Sequence, residues 1–345
     1  MMDALVKTAA APGLTLTQVP KPVPGENDVL IKIHKTAICG TDLHIYNWDK
    51  WSQEHVQPPR VIGHEYVGEI AEVGANVHNF KIGQTVSGEG HIVCGVCRNC
   101  RAGNKQWCHA TQGVGVQRDG AFAQYLCIPA SNCIPISPWL DEEIVSFFDA
   151  LGNATHTALM FDLVGEDVLI TGAGPIGVMA AAICRHAGAR SVTVTDINDY
   201  RLDLAKKLGA THTVNVSREQ LEPRMQSARM VEGYDVGMEM SGNPRAFDQM
   251  VEHMRNGGKI AMLGLFGSDL QVDMNRVILK SLALQGIYGR RMYETWYKMG
   301  AMVESGLDLK GLITHRFPYQ RFQEAFEIMN TGASGKIILE WGEKA

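Results

Sequence analysis

The 345-residue chain is poor in several things. It has no apolar run approaching the roughly 20 residues of a membrane span, which excludes an integral membrane helix. It has no basic block, and with a formal net charge of -5 it lacks the electrostatic footprint of a nucleic-acid or anionic-lipid binder. Repeats and low-complexity segments are also missing, and 45% hydrophobic with 20% charged residues is ordinary globular material. The opening Met1-Met2-Asp3-Ala4-Leu5-Val6-Lys7 alternates like a strand and carries charge where a signal peptide needs an unbroken apolar stretch. The expectation is a soluble cytoplasmic protein with no nucleic-acid or membrane partner. Small-molecule chemistry becomes the default.

What the chain does have is length enough for two cores. Up to residue 150 it reads as short strands punctuated by Gly and Pro, at 29–34, 66–73, 84–87 and 122–128, a β-rich barrel or sandwich pattern. After about Leu151 strands at 168–171, 191–196, 213–216, 235–240, 259–263 and 284–288 alternate with helical stretches such as 176–186, 201–208 and 244–254. That rhythm predicts a doubly wound parallel sheet. Six strands complete such a sheet, so the tail from Met292 is assigned back to the first domain. The domains expected are 1–150, 151–291 and a return at 292–345.

Gly172-Ala173-Gly174-Pro175-Ile176-Gly177 is a G-x-G-x-x-G loop placed between a strand and a helix. The first glycine allows the tight turn and the second lets backbone approach a pyrophosphate, which the helix N-terminus then faces. Asp196 closes the next strand, where a carboxylate accepts ribose hydroxyls and repels a 2′-phosphate, so NAD is expected over NADP. Arg201 either flanks the adenine or is a solvated helix residue.

Eight cysteines raise the question of disulfides, but four of them crowd into one short segment, in a lobe spanning about 91–112. Cys94, Cys97, Cys100 and Cys108 have the spacing C-x2-C-x2-C-x7-C, which can close a tetrahedron around a structural Zn²⁺. An iron–sulfur cluster is the alternative, without other signs of electron transfer. Cys127, Cys133 and Cys184 lie in apolar company and read as inert core. Cys39, in Ile38-Cys39-Gly40-Thr41-Asp42, and His64, in Gly63-His64-Glu65-Tyr66-Val67-Gly68, would be two ligands of a second, catalytic zinc. A third must come from elsewhere. Asp149 is the best offer, an acid after two phenylalanines that is costly to bury unless paired or metal-bound, although a helix-terminal acid is the plainer role.

In this order, the Cys39 segment, the Gly63-His64-Glu65 run followed by Gly68 and Gly74, the four-cysteine lobe and the Gly172 loop resemble the zinc-dependent medium-chain dehydrogenase/reductase family over essentially the whole chain. The likeness implies an α/β protein, a β-rich GroES-like catalytic domain plus a Rossmann domain. It also implies NAD, two Zn²⁺ per chain and a homotetramer. Cys39 and His64 would hold the catalytic zinc, with Glu65 and Asp149 as carboxylates on or beside it. Thr41, the nicotinamide ribose and His44 would relay the proton. Cofactor contacts would come from Gly172, Gly174, Ile176, Gly177, Asp196 and Arg201, and from Leu263, Gly264, Leu265, Ile287 and Tyr288 near the ends of the fifth and sixth strands.

Glu65 poses a geometric question, because adjacent residues of a regular strand face opposite ways. Either the chain turns there or Glu65 stands behind the metal. His91, Tyr46 and Trp48 are as apt to be packing residues as pocket residues. The segments at 36–48, 152–159, 287–290, 293–297 and 313–317 resemble family members that act on L-threonine. They imply oxidation of its 3-hydroxyl to L-2-amino-3-oxobutanoate, a step of threonine catabolism. A metal site with an excess carboxylate would suit the neighbouring ammonium. A polyol dehydrogenase of the same family, or a non-catalytic NAD-binding protein on this fold, are the alternatives.

Overall fold

The computed structural model describes residues 1–267 and 269–342. It forms two compact units, Met1–Ala150 with Arg291–Trp296 and Ile313–Ala345, and Leu151–Arg290 with Tyr297–Leu312. The chain begins with β1 (Met2–Lys7), β2 (Thr15–Val19), β3 (Asp28–Ala37) and two short helices, α1 (Gly40–Asn47) and α2 (Lys50–His55). Next come β4 (Arg60–Val61), β5 (Tyr66–Val73), β6 (Thr85–Gly88), β7 (His91–Ile92), the one-turn α3 (Arg98–Arg101), β8 (Gln112–Gly113), β9 (Tyr125–Pro129), β10 (Cys133–Pro135) and α4 (Glu142–Val145). α5 (Phe148–Ala158) carries the chain into the second unit.

There strands and helices alternate as the sequence rhythm predicts. The order is β11 (Asp167–Thr171), α6 (Pro175–His186), β12 (Ser191–Asp196), α7 (Asp199–Lys207), β13 (His212–Asn215), α8 (Glu222–Ser227), β14 (Tyr234–Glu239), α9 (Pro244–His253), β15 (Met254–Met262), α10 (Met274–Leu279) and β16 (Ala283–Gly286). The six strands form one sheet in the order β13-β12-β11-β14-β15-β16, every pair parallel. Its central strand β11 is buried along its whole length, as the apolar run Val168-Leu169-Ile170 requires of a strand covered on both faces. Leu169, Tyr234, Phe247, Met250 and Ile260 belong to the core against it.

α11 (Glu294–Glu304) is followed by β17 (Ile313–Pro318), α12 (Phe322–Thr331) and β18 (Lys336–Glu340). β18 pairs antiparallel with β3 and parallel with β17, extending the seven-stranded sheet of the first unit. The tail therefore does not return as one piece at 292. Tyr297–Leu312 belongs with the second unit, where Met299 and Leu309 are fully buried and Ser305 Oγ lies 3.2 Å from His186 Nε2. The count of sheet strands cannot foresee this, because a segment that packs on the second unit without pairing adds no strand to its sheet.

In the first unit the large sheet and the three-stranded β2-β1-β4 enclose a core that includes Leu5, Ile31, Ile70, Phe122, Phe326, Ile337 and Leu339. The loop between β4 and β5 is irregular, and Gly63 there has φ +89°. A Cβ at that position would lie 2.1 Å from the Phe122 ring. Gly63→Ala should therefore lower stability to urea by about 3 kcal/mol, the sum of positive-φ strain and core overlap. Unfolding of the variant within about 0.5 kcal/mol of the parent would contradict this placement.

Candidate active site

Cys39 precedes α1 in extended conformation, and its backbone N–H donates to Asp42 Oδ2 at 2.9 Å. Asp42 thus caps the helix that carries Thr41 and His44, and it does so fully buried. Thr41 Oγ1 is 3.9 Å from Cys39 Sγ, while His44 stands one turn further on with a 59%-exposed side chain.

Beyond the Gly63 turn, His64 and Glu65 precede β5 and are not in strand conformation. The chain leaves strand geometry there, and ligand atoms of Cys39, His64 and Glu65 all lie within 4.8 Å of one another. Glu65 is nevertheless engaged, because both of its carboxylate oxygens accept from the buried Lys336 ammonium, at 2.7 and 2.5 Å. Lys336 Nζ also donates to the Ile38 carbonyl at 3.4 Å. One ammonium on β18 therefore links the residue before Cys39 to the residue after His64.

Burial works against the Lys336 ammonium, but Glu65, Cys39 and Asp42 outweigh it and hold its pKa above the usual lysine value. Burial likewise opposes a charged His64, yet Asp42, Cys39 and Asp149 draw its pKa well upward. Desolvation lifts Asp42 to about 6, against the pull of His64. The field at His64 favours a cation. His64 Nδ1 faces Asp42 Oδ1 at 3.6 Å, and neither buried atom has a hydrogen-bond partner. A carboxylate behind the outer nitrogen of a metal-binding imidazole is the usual support for such a ligand. The donor set fits a divalent ion taken by thiolate, imidazole and carboxylate.

Asp149 is 8% exposed, in the first turn of α5. It lies outside the 4.8 Å cluster and acts on His64 through its charge. Among the pocket candidates, Tyr46 stacks on Phe326 at 4.6 Å and Trp48 faces the Lys7 ammonium at 4.8 Å, both packing roles. His91 is held by the buried Glu89, which also accepts from the Trp296 indole at 3.1 Å.

The four lobe thiols form the second cluster, again within 4.8 Å of one another. Backbone N–H groups of Cys94, Cys97, Cys100 and Ala110 point at the sulfurs at 3.4–3.5 Å. Donation from Cys100 pulls Cys97 down to about 6, and donation from Cys94 lowers Cys108, while desolvation pushes Cys100 up to about 12. A cage prepared for thiolates suits a closed, structural metal. Desolvation raises the thiol pKa of Cys127, Cys133 and Cys184; the last two are buried, in keeping with inert core, whereas Cys127 is partly exposed.

In the second unit Gly172 has φ +94°, and a Cβ on Gly177 would lie 2.0 Å from the Gly172 carbonyl oxygen. A Cβ on Gly174, the N-cap of α6, would meet nothing, so the backbone there is open to a ligand. Gly172, Gly174, Asp196 and Arg201 line a cavity of about 690 Å³ with Thr195, Ile197, Ser241, Asn243 and Arg245. Asp196 accepts from the N–H groups of Ala173, Ile197 and Asn198 at 2.7–2.9 Å, which fixes its carboxylate at the loop. Arg201 Nε is buried there without a hydrogen-bond partner.

Of the other expected contacts, Ile176 and Gly177 belong to α6, and Leu263 and Gly264 continue the β15 ladder by donating to the Glu239 carbonyl. Leu265 and Tyr288 are exposed and Ile287 is buried. Buried Glu239 accepts from Thr171, Ser241 and Gly242 and so shapes the cavity edge.

Two family models match the chain. One is an alcohol dehydrogenase GroES-like domain over residues 25–138, and the other a zinc-binding dehydrogenase over residues 175–305. The chain belongs to the zinc-dependent medium-chain dehydrogenase family. This dehydrogenase is 60% identical to an L-threonine 3-dehydrogenase of Chromobacterium violaceum, over 99% of its length and all of the relative. It is 61% identical to another from Burkholderia ambifaria, over 99% of both chains. Among solved structures, the alcohol dehydrogenase TADH from Thermus sp. ATN1 superposes with TM-score 0.89 at 26% identity, over 98% of this chain and 99% of that one.

Sequence reasoning missed Lys336, Asp42, Glu239 and Arg245. Asp42 alone left a signal, as the third residue of a helix whose cap is a ligand. In the dehydrogenase freed of metal, Lys336→Met should cost about 3–5 kcal/mol by leaving Glu65 charged and buried. The double variant Glu65→Gln/Lys336→Met should regain most of that loss in a denaturation cycle. Additive losses would show that the two residues do not form a coupled pair.

Proposed function

We propose that this dehydrogenase oxidises L-threonine at its 3-hydroxyl with NAD⁺, giving L-2-amino-3-oxobutanoate and NADH, in threonine catabolism. The observation that supports this best is the Cys39, His64 and Glu65 cluster in a strongly anionic setting, in a chain about 60% identical to curated L-threonine 3-dehydrogenases along their full length. When bound, zinc supplies a Lewis acid that makes an alcohol acidic near neutral pH, and NAD⁺ supplies the hydride acceptor.

Cys39 and His64 hold the metal, with Asp42 steadying the His64 ring. Glu65 stays beside it, restrained by Lys336. Cys39, Asp42, Glu65 and Asp149 as anions, set against Lys336 and a divalent ion, leave the site with one net negative charge. That excess attracts the ammonium group next to the carbinol of threonine, which a simple alcohol or polyol lacks. Thr41 and His44 on α1 carry the released proton outward, from beside Cys39 to an exposed imidazole.

In the nucleotide cavity, the open backbone at Gly174 and the start of α6 receive the pyrophosphate. Asp196 accepts the adenosine ribose hydroxyls and disfavours a 2′-phosphate, and Arg201 lies along the adenine side. Cys94, Cys97, Cys100 and Cys108 hold a second, structural zinc. No described helix is long and apolar enough to cross a membrane, and the cytoplasm is the expected compartment. A homotetramer is the expected assembly. Edge strand β16 supports association of copies, since all four of its residues are exposed beside Ile278 and Leu279.

Purified protein loaded with zinc should reduce NAD⁺ with L-threonine at least tenfold faster than with sorbitol or ethanol at equal concentration. Preference for sorbitol would establish a polyol dehydrogenase, and no turnover with any alcohol would establish a non-catalytic NAD binder. Metal analysis should find two zinc ions per chain. Cys39→Ser should lose one of them and all turnover without a change in melting temperature of more than a few degrees. Cys100→Ser should lose the other and melt well below the parent, because a closed zinc contributes folding free energy. Loss of both ions from either variant would argue against separate sites.

A further inference from the structure

His44 does not stand alone at the end of α1. Its Nδ1 lies 2.5 Å from Asp49 Oδ2. The other oxygen of Asp49 accepts from Ser52 N–H at 3.0 Å and from Ser52 Oγ at 3.1 Å, which makes Asp49 the N-cap of α2 and leaves its carboxylate little freedom to turn. Slight burial works to raise the Asp49 pKa, but donation from Ser52 and His44 outweighs it, so the carboxyl is ionised near neutral pH. Asp49 is the carboxylate within ion-pair reach of His44 among the described residues. From α2, the Trp51 ring lies 6.2 Å from the His44 ring and the His55 ring stacks on Trp51.

We propose that Asp49 is a positioning residue of the proton relay, fixing His44 as the tautomer that carries its hydrogen on Nδ1 and offers Nε2 as the acceptor. The inference rests on the reading of His44 as the relay group. A neutral imidazole has one donor and one acceptor nitrogen, and an ionised carboxylate only accepts, so the Asp49 contact assigns the donor to Nδ1. The proton balance is simple. As hydride leaves the carbinol carbon for NAD⁺, the hydroxyl proton is lost, and Nε2 takes up a proton from the Thr41 side. The imidazolium that forms keeps its Nδ1–H on Asp49, then gives the Nε2 proton to water, which restores the starting tautomer. Asp49 remains ionised throughout and takes no proton itself. Its second bond set, to Ser52, anchors the pair to the start of α2, so His44 is oriented although most of its surface faces solvent.

The rival role is capping of α2 alone. Asp49→Asn and Asp49→Ser separate the two, since Asn and Ser are also good N-caps but neither offers an anion to His44. The zinc-loaded enzyme is assayed with L-threonine and NAD⁺ at increasing N-ethylmorpholine, a hindered amine that can accept a proton from a site it does not occupy. The parent should be indifferent to the amine. His44→Ala should fall about a hundredfold in kcat, and both Asp49 variants about tenfold, with KM for threonine and NAD⁺ within about twofold of the parent. All three should recover in part as the amine rises. Parental kcat in both Asp49 variants, with His44→Ala impaired, overturns the role of Asp49. So does a low kcat in the Asp49 variants that the amine does not raise, the signature of a purely structural cap. Parental kcat in His44→Ala overturns the relay itself.

Discussion

The Lys336 ammonium is the interaction on which the metal site depends. It sits fully inside the first unit, accepted by both oxygens of Glu65 and by the carbonyl of Ile38. Ile38 is bonded to Cys39 and Glu65 to His64, so one cation sets the spacing of two ligand segments. Neither segment is regular at that point: Cys39 ends an extended stretch before α1, and His64 lies in the loop after Gly63. Irregular backbone needs outside constraint to hold ligand atoms to a fraction of an ångström, and a buried ion pair that is costly to break provides it. The pair also gives Glu65 a partner when no metal takes it. A carboxylate next to a metal can then approach or withdraw without ever being buried alone.

Charge explains why such a pair is tolerated. Asp42, Glu65 and Asp149 are all within or next to a space that also holds a thiol, and the pull of Asp42, Cys39 and Asp149 is enough to raise His64 against its own burial. An apolar site could not keep three carboxylates, because each would be neutralised or expelled. Here a bound divalent ion would supply the counter-charge, with Lys336 as the fixed part of the balance. The lobe solves the same problem by other means. Backbone N–H groups there donate to the sulfurs of Cys94, Cys97 and Cys108, and the four thiols lie together in one closed cluster, an arrangement suited to a metal with no position for substrate.

How much of this was legible in the sequence depended on distance along the chain. The glycine loop, the four-cysteine lobe and the alternation of strand and helix are local patterns, and their spacing carries the geometry. Cys39 and His64 are 25 residues apart, within motifs that can each be read alone. Lys336 lies 271 residues from its partner in an ordinary apolar strand, and no local signal marks a lysine there as buried. Asp149 follows two phenylalanines and so reads as a candidate metal ligand, while in the fold it lies outside the group that Cys39, His64 and Glu65 form. Tyr297–Leu312 groups with the second unit instead of returning with the tail, which strand counting cannot register because the segment adds no strand.

α1 shows a tighter economy of design. Its N-cap residue is the proposed metal ligand Cys39, its third residue caps it and stands behind His64, and Thr41 and His44 occupy successive turns of the same eight-residue element. Such a helix is too short to be stable by itself. It is fixed at one end by Asp42 and at the other by the Lys7 ammonium, which donates to the Tyr46 carbonyl and faces the Trp48 ring. Burial lowers Lys7 to about 8, yet a positive charge at the C-terminal end of a helix is favoured by the helix dipole. On the proposed reading, metal ligand and proton carrier therefore belong to one short element. A shift of α1 that loosened the zinc would also misalign the relay, so the two functions share a single structural constraint.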